Sequence, residues 1–119
     1  MSQASSSDIL IIGGGVIGLM TARELAGAGA SVTLVEMGGT GQQASWAGGG
    51  ILSPLYPWRF AGAVTALAGW SQKVYPGLCT ELFETTGIDP EYGTSGLMIL
   101  DPEEHAEALA WAAAEQAKV

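Results

Sequence analysis

The residues whose spacing most clearly indicates a ligand-binding site in this sequence are glycines that follow an apolar run. Gly13, Gly15 and Gly18 form the pattern G-x-G-x-x-G directly after Ile9 to Ile12. Glycine can turn the chain tightly and lets a ligand come close to backbone amides. Helical spacing of apolar residues begins at Val16, so the free amides and the positive dipole end of a helix would face an anion. The spacing therefore predicts a phosphate-binding loop.

A carboxylate stands where a dinucleotide site needs one. Glu36 lies 18 residues after Gly18, close to the roughly 20 residues expected for the acid that binds the adenosine ribose hydroxyls. A carboxylate there repels a 2′-phosphate, which disfavours NADP. The alternatives are a simple strand-to-helix turn at residues 13–18 and a solvated acid at position 36. The combination of strand, glycines, helix and acid favours a nucleotide site.

The elements that must position these residues are a strand, a helix and a second strand. Ile9 to Ile12 has the continuous apolar pattern of a strand buried on both faces. Val16 to Ala28 predicts a helix that packs on a sheet and ends near glycine. Ser31 to Glu36 predicts the second strand, and the short connections imply a right-handed parallel crossover. The expected fold class is α/β, with an incomplete Rossmann-like parallel sheet followed by helices.

The remainder of the chain predicts further elements. These are a glycine-rich loop over 37–50, a turning segment over 52–59, a helix over 61–86 with a kink or break at Pro76-Gly77, a turn at Asp89-Pro90, a hairpin with strands 92–94 and 96–100, and a last helix that runs to Val119. Asp101 is expected to cap that last helix, with Pro102 at its first position.

Charge and cysteine content restrict the partners and the compartment. The formal net charge is −8, and residues 61–119 carry nine of the twelve acids. An acidic surface argues against nucleic acid or an anionic membrane as a partner. One cysteine, Cys79, allows no internal disulfide, and the start of the chain has no secretory signal pattern. We therefore expect a cytoplasmic protein with a small-molecule ligand.

Other chemistry-bearing side chains give weaker signals, and neither a catalytic residue nor a metal ligand is assigned. Arg23 is interpreted as a solvated helix residue, and Arg59 more often as structural than as an anion contact. His105, which lies among acids, is interpreted as an exposed helix residue. Cys79 and Trp46 are interpreted as packing residues.

Two stretches resemble the FAD-dependent amino-acid oxidases of the D-amino-acid oxidase superfamily, and within it the glycine oxidases most closely. They are Asp8 to Gly18 and Ala44 to Leu52, the second reading ASWAGGGIL. Residues 71–78 and 87–89 also resemble that family, so the resemblance covers nearly the whole chain. It implies FAD as the cofactor and the beginning of an FAD-binding domain as the fold.

The resemblance also implies which residues bind FAD. They are Gly13, Gly15, Val16, Ile17 and Gly18 at the phosphates, Glu36 and Met37 at the ribose, and Ala44, Ser45, Gly49, Gly50 and Ile51 in the next loop. Small residues in that loop would let backbone amides reach the flavin and pyrophosphate. The sequence departs from the family at Gln42-Gln43-Ala44, where an arginine and hydroxyl residues are common.

The activity implied by the resemblance is oxidation of the amine of glycine or a related small amino acid. A hydride passes from the α-carbon to flavin N5, water hydrolyses the imine, and oxygen reoxidises the flavin to give peroxide. A link to thiamine biosynthesis is also implied. Because the substrate-binding arginine of the family lies beyond residue 119, we expect an N-terminal fragment that is inactive alone. A two-stranded parallel start leaves open sheet edges and unburied apolar faces, so we also expect this fragment to self-associate.

The expected domain organisation follows from the same resemblance. Residues 1–7 are a disordered tail, residues 8–87 the N-terminal part of the FAD-binding domain, and residues 88–119 the start of a substrate domain. Two other functions remain open at this point. The first is an NAD-dependent dehydrogenase, which would share the strand–helix–strand start but has no role for the loop 44–52. The second is a catalytically inert nucleotide-binding fragment, which would need no substrate pocket.

Overall fold

The computed structural model describes residues 6–100 and 103–115. The chain divides after Gly50 into two compact units. The first unit contains strand β1 (Ile9–Ile12), helix α1 (Val16–Gly27), strand β2 (Val32–Val35) and the single turn α2 (Ala44–Ala47). The second contains a 3-10 helix (Pro57–Arg59), helix α3 (Gly62–Thr86) and helix α4 (His105–Ala114).

The first unit is the predicted parallel crossover, so the α/β fold class is confirmed. β1 and β2 pair in parallel, with Ile9 opposite Val32 and Ile12 opposite Val35. Gly29, at φ +92°, turns the chain out of α1 and lets the Ala30 amide donate to the Leu25 carbonyl at 3.0 Å. The apolar runs thus form strands where their β-branched residues pair, and the glycine ends the helix between them.

The two faces of this sheet differ in exposure. Ile9, Ile11, Val32 and Leu34 are half-buried on the face that α1 covers, whereas Leu10, Ile12 and Val35 on the other face are 60%, 85% and 50% exposed. The prediction that β1 is buried on both faces is therefore wrong for the described residues. α1 is a single helix, and one helix can cover only one side of a sheet.

Helix α3 is continuous over 25 residues, so of the kink or break predicted at Pro76-Gly77 the break does not occur. Proline removes one backbone donor from a helix, but the helical turns on both sides of Pro76 keep their own hydrogen bonds. The helix ends at Gly87, whose φ of +71° lies in the left-handed region and whose amide donates to the Phe83 carbonyl at 2.8 Å.

The hairpin predicted over residues 92–100 is also wrong, because these residues form no strand. Two strands of this length gain too little from pairing with each other alone, and Gly96, the first residue of the second predicted strand, adopts φ +74°. Met98 and Leu100 remain exposed. The turn at Asp89-Pro90 does form, since the Glu91 amide donates to the Asp89 carboxylate at 2.8 Å.

The ends of the chain differ from expectation in part. The predicted caps Asp101 and Pro102 and the residues 116–119 lie outside the described residues, and α4 begins only at His105 and ends at Ala114. Residues 1–5 of the expected tail also lie outside them, while the Ser7 hydroxyl donates to Thr33 Oγ1 at 2.8 Å. No helix in the described ranges is long and apolar enough to cross a bilayer.

Two glycine substitutions in α3 should have opposite effects on stability. Gly87→Ala places a side chain at a positive φ and should destabilise the chain by about 1 kcal/mol. Gly69→Ala adds a methyl group to the helix interior, where no atom lies within 4 Å, and should stabilise by roughly 0.5–1 kcal/mol. Thermal melts followed by circular dichroism measure both, and a shift of the same sign in the two variants would contradict the expectation.

Candidate functional site

The candidate site lies where β1 and β2 end, because parallel strands place their carboxyl ends at one edge of the sheet. The Gly13 amide donates to the Val35 carbonyl at 2.8 Å, and Gly13 turns the chain at φ +105°. A Cβ at Gly18 would stand 2.0 Å from the Gly13 carbonyl oxygen. Glycine is therefore required at both positions, as the spacing predicts.

Helix α1 begins at this edge without a side-chain cap of its own. Its N-cap residue, Gly15, is extended, and the amide of Val16 in the first turn donates to Ser45 Oγ at 2.8 Å. Ser45 lies on α2, 29 residues further along the chain. Because a hydroxyl can accept and donate at once, its own proton stays available for an anion at the helix start.

Glu36 follows β2 and is held by backbone amides. Its Oε2 accepts from the Gly14 amide at 2.6 Å, and its Oε1 accepts from the Gly38 amide at 3.0 Å. The Gly14 amide first, and then the Gly38 amide, lower the pKa of Glu36 from its usual value of 4.5. An ionised carboxylate has about four lone-pair positions, so acceptor capacity remains for the two hydroxyls of a ribose.

The structure brings together part of the predicted set. The loop 13–18, Glu36 and Ser45 are joined by the hydrogen bonds described above. Met37, next to Glu36, is exposed, as is Ile17. Open space surrounds the Cβ positions of Gly49 and Gly50, and Ile51 begins the second unit. No hydrogen bond described above links these five residues or Ala44 to the loop, and the FAD-binding role of every residue in the predicted set stays a prediction.

Two residues near the loop, Thr40 and Gly41, were not singled out from the sequence. The Gly41 amide donates to the Gly14 carbonyl at 2.7 Å, and Thr40 lies against Gly14. The signal in the sequence is the run Gly13-Gly14-Gly15, because the motif does not require glycine at its second position. A glycine at that position indicates that another part of the chain approaches it closely.

Trp46 corrects one sequence interpretation. Its side chain is 81% exposed, although it was expected to pack. α2 is a single turn, and one turn leaves a large side chain with few neighbours. The indole therefore stands in solvent beside Ser45.

In the second unit, Glu104, the residue before α4, accepts several side-chain hydrogen bonds. The Glu104 carboxylate accepts from Trp58 Nε1 and from the Arg59 guanidinium, with Nε to Oε2 at 2.8 Å. Arg59 also lies over the Tyr56 ring at 4.0 Å. The hydrogen bond from Arg59, and then that from Trp58, lower the pKa of Glu104. Arg59 is thus a structural residue of this unit.

Two of the remaining candidates, Cys79 and His105, match their interpretations, whereas Arg23 is half-buried rather than solvated. Cys79 is buried and His105 is exposed. Arg23 pairs with its neighbour Glu24 on α1. Within 6–100 and 103–115, no group of three or more histidine, cysteine or acidic side chains is arranged to hold a metal ion.

The pH dependence of stability should report the amide contacts of Glu36. Because its pKa is lowered on folding, the ionised group stabilises the fold above pH 4.5, and this contribution disappears as the pH falls through the lower folded value. Glu36→Gln removes it at every pH. The difference in unfolding free energy between the parent chain and the variant should therefore shrink between pH 7 and pH 3 in urea titrations. A constant difference would contradict the amide contacts.

Known proteins resemble this chain over most of its length. A family profile described as FAD dependent oxidoreductase (DAO) matches residues 8–119. The glycine oxidase of Pseudomonas aeruginosa is 61% identical over 107 residues, which is 90% of this chain and 29% of that protein. The glycine oxidase of Pseudomonas putida is 57% identical over 111 residues, with 93% and 30% covered.

A solved structure and a bifunctional protein extend the comparison. The crystal structure of glycine oxidase from Bacillus cereus matches with a TM-score of 0.76 at 33% identity, over 93% of this chain and 30% of that one. A bifunctional protein ThiO/ThiG of a Nostoc species is 36% identical over 91 residues, which is 76% of this chain and 14% of that protein. The chain spans about 30% of the length of the Pseudomonas relatives. With a match over nearly its whole length and the glycine loop and acid in place, the chain belongs to the FAD dependent oxidoreductase (DAO) family.

Proposed function

We propose that this chain is the N-terminal part of an FAD-dependent oxidase that acts on the amine of glycine or a related small amino acid. The observation that carries the proposal is the meeting of the glycine loop and the Glu36 carboxylate at one sheet edge. The identity to two glycine oxidases supports the choice of substrate class. FAD, when bound, supplies the two-electron chemistry that oxidises the amine and reduces oxygen to peroxide.

The chain's own part is to hold the ADP half of FAD. Gly13, Gly15 and Gly18 keep side chains away from the pyrophosphate, and the α1 terminus presents amides to it. Glu36 accepts from the ribose hydroxyls. The nearest atom to a Cβ at Gly15 is the Ser45 hydroxyl oxygen, at 3.1 Å. A hydroxyl group therefore lines the glycine loop on the side of Gly15, which suits a bound phosphate.

The second loop and the neighbours of the acid complete the proposed FAD contacts. They are Val16 and Ile17 at the phosphates, Met37 beside the ribose, and Ala44, Ser45, Gly49, Gly50 and Ile51 along the flavin side. The match to the DAO family includes the loop 44–52, which favours FAD over the NAD of the alternative dehydrogenase. Residues 8–87 would belong to the FAD-binding domain and residues 88–119 to the start of a substrate domain.

The proposed setting follows from the relatives and from Cys79. A relative named ThiO/ThiG supports a role in thiamine biosynthesis. The one cysteine is a buried free thiol, which suits a reducing cytoplasm. The substrate pocket would lie outside the 119 residues, so we expect these residues alone to be inactive.

Reconstitution with FAD tests the proposed function. The full-length protein that carries this chain should be yellow and should release peroxide when glycine is added. Glu36→Gln should raise the Kd for FAD about tenfold, because a charge-assisted acceptor is lost. Glu24→Gln, an exposed site on α1, is the matched control and should leave the Kd unchanged. Colourless protein that cannot be reconstituted would refute the proposal.

The uncovered sheet face supports self-association of the 119-residue chain. Leu10, Ile12 and Val35 form an exposed apolar surface on a parallel sheet, and such surfaces are normally covered. The chain should therefore sediment above its monomeric mass, and Ile12→Thr should reduce this. Leu67→Gln, at an equally apolar exposed site on α3, should change it less. A monomeric mass with a cooperative melt would contradict self-association.

A further inference from the structure

Gly14, the second residue of the glycine motif, is the one buried residue among residues 6–50. Both of its backbone polar groups are bound by the segment that follows β2. Its amide donates to Glu36 Oε2 at 2.6 Å, and its carbonyl accepts from the Gly41 amide at 2.7 Å. The loop at the phosphates and the segment 36–41 are therefore joined through one residue.

The space around Gly14 leaves no room for a side chain. A Cβ there would stand 2.9 Å from Thr40 Cγ2, and 3.1 and 3.2 Å from Cβ and Cγ of Glu36. The first distance is shorter than carbon atoms tolerate without a shift, and the other two require the Glu36 side chain to yield. A methyl group at position 14 would thus clash with the Thr40 side chain and with the Cβ and Cγ atoms of Glu36.

We propose that Gly14 and Thr40 are positioning residues for ribose recognition, because their close contact holds the Glu36 carboxylate at the sheet edge. The inference rests on the proposed function, since the ribose is that of the FAD adenosine. Thr40 closes one side of Gly14, and Glu36 closes the other while accepting its amide proton. The Glu36 side chain is therefore restricted to one conformation, and the lone pairs of its carboxylate that accept no amide keep a fixed direction.

A compensating pair of substitutions tests the contact. Gly14→Ala should lower the melting temperature by about 5 °C, because overpacking strains the loop. Thr40→Ser removes the methyl group nearest to the new Cβ, so the double variant should recover most of that loss. Gly27→Ala adds the same methyl group at the end of α1, where no atom lies within 4 Å, and serves as the control.

Two readouts separate positioning from a merely structural role. The first is the ratio of the affinities for ADP and 2′-deoxy-ADP, measured by calorimetry on this chain. The ratio should fall toward one in Gly14→Ala and return in the double variant. The second is the carboxyl titration of Glu36 followed by carbon NMR. Its pKa should move up toward the usual value in Gly14→Ala, because the Gly14 amide no longer reaches it.

The outcomes distinguish this inference from the proposed function. If the parent chain binds neither nucleotide, the proposed ADP binding fails for this chain, while the Glu36 titration and the melting temperatures still decide whether Gly14 and Thr40 hold the acid. An unchanged nucleotide ratio in Gly14→Ala would overturn the inference where binding occurs. An unchanged Glu36 titration, or no recovery with Thr40→Ser, would overturn it in either case.

Discussion

The parallel register of two short strands is the constraint on which the candidate site depends. Ile12 pairs with Val35, so the residues that follow them, Gly13 and Glu36, leave the sheet at the same edge. A shift of one residue would turn every side chain of one strand to the opposite face. It would also separate the acid from the loop, because the Gly13 amide and the Val35 carbonyl would no longer pair. Four residues in each strand thus determine whether a phosphate loop and a ribose acid can meet.

The segment after β2 makes this edge a defined site. Glu36 accepts from two amides, Gly41 donates to the Gly14 carbonyl, and Ser45 accepts from the Val16 amide. Each contact joins residues more than twenty positions apart, apart from that between Glu36 and Gly38. The ionised state of Glu36 favours these contacts, since a carboxylate is the stronger acceptor. These contacts within the chain fix the positions of the glycine loop, the acid and Ser45 relative to one another.

The sequence predicts the parts of this structure that depend on neighbours along the chain. β1 was predicted at its observed bounds, and α1, β2 and the helix 61–86 within a residue or two, because periodicity and glycine caps are local signals. The glycine loop and Glu36 followed from spacing alone. The resemblance to flavin-dependent oxidases pointed to Ser45, and the structure shows its contact with the Val16 amide.

Most of the wrong predictions and missed contacts depend on residues that are distant in the sequence, which local sequence patterns do not specify. The two short strands expected at 92–94 and 96–100 had no further strand to pair with. The exposure of Leu10 and Ile12 depends on how many helices cover the sheet, which an apolar run does not specify. The contact of Thr40 with Gly14, and that of Arg59 with Glu104 over 45 residues, depend on the path of the chain. A kink or break was expected at Pro76 inside the helix 61–86, and the helix continues through it without a break.

The bonds that fix the segment 36–41 come mainly from the main chain, and this has a consequence for sequence variation. Amides of Gly14, Gly38 and Gly41 serve as donors, and such a donor is the same whichever L-residue fits its backbone angles. The positions beside them can then change without loss of the scaffold. Gln42 and Gln43 lie between the Gly41 amide and Ser45, and the loop is attached through Gly41 and Ser45 rather than through the glutamine side chains. Divergence at this edge is therefore free to alter how the ligand is held while the peptide framework remains constant.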